Sequence, residues 1–149
     1  MVDVSAKVAT KRHARASACV VLDPEVRELL LAGGLPKGDA LATARIAGIQ
    51  AAKETARLIP LCHSLPLSSV AVEFAATGSD AITITTEAIT VGVTGVEMEA
   101  LVAASVAALT VYDMVKARCR DARITDVQLL HKSGGKSGTW DRAGQRRTS

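Results

Sequence analysis

Ionisable residues stand near both ends of one apolar stretch, residues 94–118. Glu99 follows its start, and Asp113 and Lys116 lie near its end. Alanine, leucine and methionine favour a helix, and residues three apart on a helix share one face. Asp113 and Lys116 are either a surface ion pair or, because Asp113 follows a run that is apolar on nearly all sides, a buried carboxylate with its cationic partner. Such an Asp–Lys pair can transfer protons, whereas a surface pair would only add stability.

The spacing of these residues bears on assembly. Glu99 and Asp113 are fourteen residues apart, which on a helix is roughly 21 Å along the axis at about 1.5 Å per residue. One small-molecule site cannot contact both ends of such a helix. If both ends are functional, the site must join one end of this helix to the opposite end from a second copy. The sequence therefore predicts an oligomer.

Two further stretches carry groups that can do chemistry. His63 follows Cys62 in a loop bounded by Pro60 and Pro66, and it is either a hydrogen-bonded loop histidine or an acid-base and binding group in a rigid site. No second ligand stands at suitable spacing, so we predict no protein-bound metal. The segment 132–138, KSGGKSG, can aim amides and lysines at an anion. Its spacing is not that of a P-loop, and a mobile tail is an open alternative.

The composition limits the class of protein. The chain has 149 residues, 48% hydrophobic and 22% charged, which is the size of one domain with a good core. Aromatic residues make up only 2%, which disfavours binding of single-stranded nucleic acid by base stacking. The three cysteines form no CxxC motif and the N-terminus has no signal-peptide pattern, so we expect a cytoplasmic protein. The longest apolar run, within 100–112, is too short for a membrane span.

The elements that must position these residues follow the order β-α-β-β-α-β, once a short first helix is left out. Apolar periodicity and turn residues predict strands at 16–22, 69–75, 81–89 and 124–130 and helices at 24–31, 40–58 and 94–118. This order indicates the ferredoxin-like split βαβ fold, an α+β fold with helices packed on one face of an antiparallel sheet. We expect one domain over residues 1–138, with an extended arm at 1–14, a mobile glycine-rich loop at 131–138 and a disordered polar tail at 139–149.

Several stretches together resemble the cyclic pyranopterin monophosphate synthase (MoaC) family. They read VDVSAK at 2–7, KGDALATARIAGIQAAK at 37–53, LIPLCHSLPL at 58–67, TGVEMEAL at 94–101, AALTVYDMVKA at 107–117 and LLHKSGGKSG at 129–138. The resemblance runs from near the start of the chain to Gly138. It implies a ferredoxin-like fold and a homohexamer built as three dimers, with active sites at the dimer interface.

The resemblance also implies roles for individual residues. The family's catalytic groups fall on Asp113, Lys116 and Lys37, and its mobile-loop lysine falls on Lys132. Its other substrate contacts fall on Leu61, Cys62, His63, Met98 and Glu99.

The implied reaction rearranges a cyclised dihydroguanosine triphosphate to cyclic pyranopterin monophosphate and releases pyrophosphate, in molybdenum cofactor biosynthesis. Protons must move during ring opening and reclosure, and the triphosphate must be neutralised while pyrophosphate leaves. Lysines can serve both needs. No resident cofactor is expected, although Mg²⁺ can accompany the triphosphate. Two other classes stay open, namely a non-catalytic ferredoxin-like ligand-binding paralogue and a nucleic-acid module that uses the basic tail.

Overall fold

Alternating apolar residues build a five-stranded sheet within residues 1–143, the part of the chain that a computed structural model describes. The elements in chain order are β1 (Thr10–Val21), α1 (Pro24–Leu31), α2 (Ala40–Lys53), α3 (Thr55–Leu58), β2 (Leu67–Thr77), β3 (Ala81–Gly92), α4 (Glu97–Val115), β4 (Arg123–Ser133) and β5 (Trp140–Asp141). The strand order is β2-β3-β1-β4-β5, and every neighbouring pair is antiparallel. The first four strands with α2 and α4 confirm the expected ferredoxin-like α+β arrangement.

Alternation along the central strand determines which face of the sheet is covered. Ala14, Ala16, Ala18 and Val20 of β1 are fully buried, while the residues between them point to the other face. They share one core with the buried residues of α2 and α4. Helix α4 packs on β1, β3 and β4, and α2 lies mainly against α4 and β2. Both main helices therefore cover the same face of the sheet.

Small residues let the central helix α4 approach its neighbours closely. Ala100, Ala103, Ala104 and Ala107 are fully buried. On α2, a Cβ added to Gly48 would lie 3.0 Å from the Ala103 carbonyl oxygen, so the two helices are in near backbone contact. The helix is shorter at both ends than the predicted span of 94–118, and its bounds place the predicted acidic and basic residues at opposite ends of one continuous rod.

Helix α4 is also long and apolar enough, by length and composition, to cross a membrane. The expectation concerned the apolar run within 100–112, whereas the helix extends beyond that run on both sides. In the folded chain, 56% of its most apolar window is buried. A core helix of a folded domain can have the same length and apolar composition. The packing of α4 against α2 and the sheet accounts for this composition.

The first strand is longer than its side-chain pattern predicts. It begins at Thr10 rather than at residue 16, so the predicted arm at 1–14 is wrong for its last five residues. The reason is the partner strand, because β3 continues to Gly92 and pairs with β1 as far as Thr10. The backbone ladder therefore persists where the side chains are polar.

The helix predicted at 40–58 is interrupted at Glu54. Thr55 is buried, and its hydroxyl donates to the backbone carbonyls of Ala51 and Ala52. A threonine that bonds back to the preceding turn competes with the helical ladder and bends the chain. The break directs α3 towards the proline-bounded loop that carries His63.

The C-terminal part of the chain is more regular than predicted. Strand β4 extends to Ser133, so His131 and Lys132 belong to a strand rather than to the loop predicted at 131–138. Trp140–Asp141 pairs with β4, which corrects the disordered tail predicted at 139–149 for these two residues. Residues 144–149 of that tail lie outside the described residues.

Candidate active site

The C-terminal end of α4 brings together the three residues predicted to be catalytic. Lys37 Nζ donates to Asp113 Oδ2 at 2.7 Å and to the Asp113 carbonyl oxygen at 3.0 Å. Lys116 Nζ lies 2.6 Å from Asp113 Oδ1. Lys37 reaches the helix end from the loop that precedes α2, and that loop is fixed by Asp39, which caps α2 through the amide of Ala42. We call Lys37, Asp113 and Lys116 the Asp113 cluster.

The electrostatics of the Asp113 cluster differ from the expectation of a buried pair. The Asp113 side chain is 52% exposed, which fits the surface pair. The buried alternative is wrong, because the carboxylate projects from the helix end past the apolar run. Hydrogen bonds from Lys116 and Lys37 lower the pKa of Asp113 to about 2. The hydrogen bond and charge of Asp113 raise the pKa of Lys116. The cluster therefore places two lysines on one carboxylate. Its formal charge is positive, which suits it to binding an anion.

The N-terminal end of α4 gathers the other predicted contacts around one cavity, which we call the Glu99 pocket. Its volume is about 430 Å³, and it is lined among others by Leu61, Cys62, His63, Met98 and Glu99. The extended segment at the start of the chain closes one side through Val2, Val4 and Lys7. His63 Nε2 lies 2.9 Å from the Val2 carbonyl oxygen; since a carbonyl only accepts, this ring nitrogen carries a proton.

Glu99 is the buried charged residue of this pocket. It is only 4% exposed, and burial raises its pKa, with the nearby charge of Glu97 acting in the same direction. Burial also raises the pKa of the Cys62 thiol, to which Glu99 contributes. Both shifts favour the neutral forms. A protonated carboxyl can donate a hydrogen bond to a substrate atom, which an ionised one cannot do.

A second cavity adjoins the Glu99 pocket and carries positive charge; we call it the lysine cavity. Its volume is about 720 Å³, and its cationic lining residues are Lys7, Arg12, Lys132 and Lys136. Lys132 Nζ donates to Ser137 Oγ at 2.6 Å and lies 3.9 Å from Glu97 Oε1. Lys7 and Glu97 line both cavities. Lys132 therefore lies at the Glu99 end of α4. The two adjoining cavities together can hold a polyphosphate beside a less charged group.

Sequence reasoning missed Lys7 and Arg12 as lining residues. Lys7 closes the VDVSAK stretch, so that motif was the available signal. Arg12 lay in the predicted arm. In the structure its side chain donates to the carbonyl oxygens of Gly92 and Val93. Beside it, a Cβ on Gly134 would meet the Lys11 carbonyl oxygen at 2.1 Å, so only glycine fits there.

The two halves of the predicted site remain apart within one chain. The Asp113 cluster lies at one end of α4, and the Glu99 pocket with the lysine cavity lies at the other. The fourteen residues between Glu99 and Asp113 correspond to a rise of roughly 21 Å. Among residues 1–143, no group of three histidine, cysteine, aspartate or glutamate side chains is arranged to hold a metal ion.

The chain is similar to known proteins over most of its length. The sequence model of the MoaC family matches residues 1–135. The chain is 59% identical to the cyclic pyranopterin monophosphate synthase of Streptomyces coelicolor over 143 residues, which is 96% of the chain and 84% of the relative. It is 58% identical to the protein of that name from Streptomyces avermitilis, with the same coverage, and 61% identical to that from Streptomyces griseus, over 95% of the chain and 80% of the relative. The chain therefore belongs to the MoaC family, and the relatives that it matches are enzymes by name.

Proposed function

We propose that the chain is a cyclic pyranopterin monophosphate synthase. It would rearrange a cyclised dihydroguanosine triphosphate to cyclic pyranopterin monophosphate and release pyrophosphate, in molybdenum cofactor biosynthesis in the cytoplasm. The observation that carries this proposal is the Asp113 cluster, in which Lys37 and Lys116 share one carboxylate at 2.7 and 2.6 Å. The name of the relatives supports the same reaction.

The two ends of α4 have different proposed roles, because different charged residues lie at each end. Lys7, Arg12 and Lys132 offset the negative charge of the triphosphate and of the departing pyrophosphate. Mg²⁺ can accompany those phosphates as part of the substrate. At the other end, the proposed role of Lys116 is proton transfer to or from the substrate. Its raised pKa keeps this lysine charged while it contacts Asp113. Asp113 holds both lysines in place.

The proposed site is completed by a second copy of the chain. Because the two halves lie at opposite ends of α4, a substrate that needs both must bind where one chain offers its Asp113 cluster and the partner its Glu99 pocket. A dimer with twofold symmetry makes two such sites. Exposed apolar side chains on the helices, Ile46 and Leu109 among them, support close association. The proposed assembly is a homohexamer built as three dimers.

Turnover of the cyclised triphosphate by the purified chain tests this function. We expect formation of the cyclic pyranopterin and one equivalent of pyrophosphate per turnover. Binding without product would refute the synthase and favour the ligand-binding paralogue.

Sedimentation at low micromolar concentration is expected to give an assembly larger than one chain, and a single-chain mass with full activity would refute the shared site.

A further inference from the structure

Two histidine–carboxylate contacts lie side by side on the sheet, outside the residues used in the proposed reaction. His131 Nδ1 on β4 is 2.7 Å from Asp141 Oδ1 on β5. His13 on β1 and Glu87 on β3 form the second contact, at 2.5 Å. The two imidazole rings are 5.0 Å apart between centroids and tilted by 52°. Since an ionised carboxylate only accepts, His131 Nδ1 donates this hydrogen bond.

The His131–Asp141 contact closes the base of the glycine-rich hairpin. Strand β5 has only two residues, and it pairs His131 with Asp141 and Lys132 with Trp140. So short a strand offers few backbone hydrogen bonds, and side chains must help to hold it. Arg142 also holds the end of β5 against β4, because its Nε donates to the Leu129 carbonyl oxygen at 2.7 Å.

Lys132 depends on the geometry of this base. It directly follows His131 in β4, and neighbouring side chains of a strand point to opposite faces. His131 therefore faces His13, while Lys132 donates to Ser137 across the hairpin. Both His13 and Lys132 line the lysine cavity. Any movement of β5 away from β4 frees the segment between Lys132 and Trp140.

We propose that His131 and Asp141 are positioning residues that clamp the base of the hairpin and so hold Lys132 in the lysine cavity for the phosphate groups of the substrate. This inference rests on the proposed function for the identity of the substrate only. The His13 ring lies beside the His131 ring. The Asp141 side chain is 59% exposed, and exposed polar contacts of this kind change an equilibrium by about two- to fivefold.

The test compares Asp141→Ala, Asp141→Asn and Asp121→Ala in the full chain. Asn keeps an acceptor oxygen for His131 and serves as the conservative rescue. Asp121 is an exposed carboxylate in the turn between α4 and β4 and serves as the matched control. Isothermal titration calorimetry with inorganic pyrophosphate measures the affinity of the lysine cavity. Hydrogen exchange of residues 134–138 measures how often the hairpin opens. Steady-state kinetics separates KM from kcat.

Asp141→Ala is expected to weaken pyrophosphate binding and to raise KM by about two- to fivefold, with faster exchange in 134–138 and a smaller change in kcat. Asp141→Asn should recover most of the pyrophosphate affinity and most of the slow exchange in 134–138. Asp121→Ala should behave as the wild type. Exchange and pyrophosphate affinity in Asp141→Ala that equal the wild type would overturn the clamp. Hydrogen exchange does not need turnover, so the clamp is judged even if the chain proves inactive as a synthase.

Discussion

Replacing Asp113 by asparagine perturbs a cluster in which one carboxylate serves two ammonium groups. Its two oxygens receive Lys37 Nζ at 2.7 Å and Lys116 Nζ at 2.6 Å. An amide has one acceptor oxygen and a donating NH₂ group. It can hold one lysine, but it turns a donor towards the other. We therefore expect the Asp113→Asn variant to release one of the two lysines while the local shape is kept.

The size of the effect follows from the proposed role. Asp113 holds Lys116, the proposed proton-transfer group, and such groups typically contribute about 10² to 10⁴ in rate, so kcat is expected to fall at least ~100-fold. Pyrophosphate affinity should change less than kcat, because the phosphates are proposed to bind Lys7, Arg12 and Lys132 of the lysine cavity rather than Asp113. The Asp113 side chain is about half exposed, so Tm should stay near that of the wild type. Product formation at saturating substrate and thermal unfolding are measured on the same preparation.

A matched control removes a carboxylate that pairs with a cation elsewhere on the surface. Glu28→Gln breaks the contact with Arg27 in α1 and should leave turnover near normal. If Asp113→Asn retained most of its activity, the role of the Asp113 cluster would be refuted. The pH profile adds a check. The stability from ionised Asp113 is present above its unfolded pKa of 3.8 and is lost as pH falls through about 2, so Asp113 cannot cause an acid limb above pH 4.

Three further outcomes are expected. Burial raises the pKa of Glu99, so its ionisation lowers stability as pH rises from 4.5 through the raised folded value. Glu99→Gln should therefore raise Tm at pH 7 by at least about 2 °C and change it less at pH 4, and an unchanged or lower Tm at pH 7 would contradict this. Gly48→Ala would press a methyl group against the Ala103 carbonyl and should lower Tm by about 2–4 °C despite the better helix propensity of alanine; a higher Tm would show that α2 and α4 can separate freely. Amide exchange through 132–138 should slow when pyrophosphate binds, and unchanged exchange at saturation would contradict phosphate binding by this segment.

The fold could be predicted because its periodic signals are strong. The alternation of Ile82 and Ile84 with threonines and the turn before Ala81 indicate the hairpin β2–β3 that the structure contains. The start of β1 at Thr10 could not be predicted, since it depends on a ladder with a strand some eighty residues away. Strand β5 escaped prediction for the same reason, because its two residues are held by contacts with β4 rather than by any pattern of their own.

The candidate site could be predicted in its members but not in its electrostatics. The apolar run before Asp113 indicated burial, yet the carboxylate projects beyond the helix end and is half exposed. Lys37 precedes Asp113 by seventy-six residues, and only the resemblance to the family connected them before the structure placed them 2.7 Å apart. Local pattern carries no information on such contacts, because they arise from the packing of α2 against α4.

The shared site is the central claim, and mixing inactive variants tests it most directly. Lys37 and Asp113 touch within one chain, so variants at these positions damage the same half of the site. His63→Ala damages the Glu99 end, and Lys116→Ala damages the Asp113 cluster. When these two proteins exchange subunits, half of the dimers are mixed and each holds one intact site, so activity should recover to about one quarter of the wild type for a twofold dimer. Lys37→Ala mixed with Lys116→Ala should recover none. Mass labels show whether mixed dimers form. If mixed dimers form and stay as inactive as this control, a site built from two chains is contradicted.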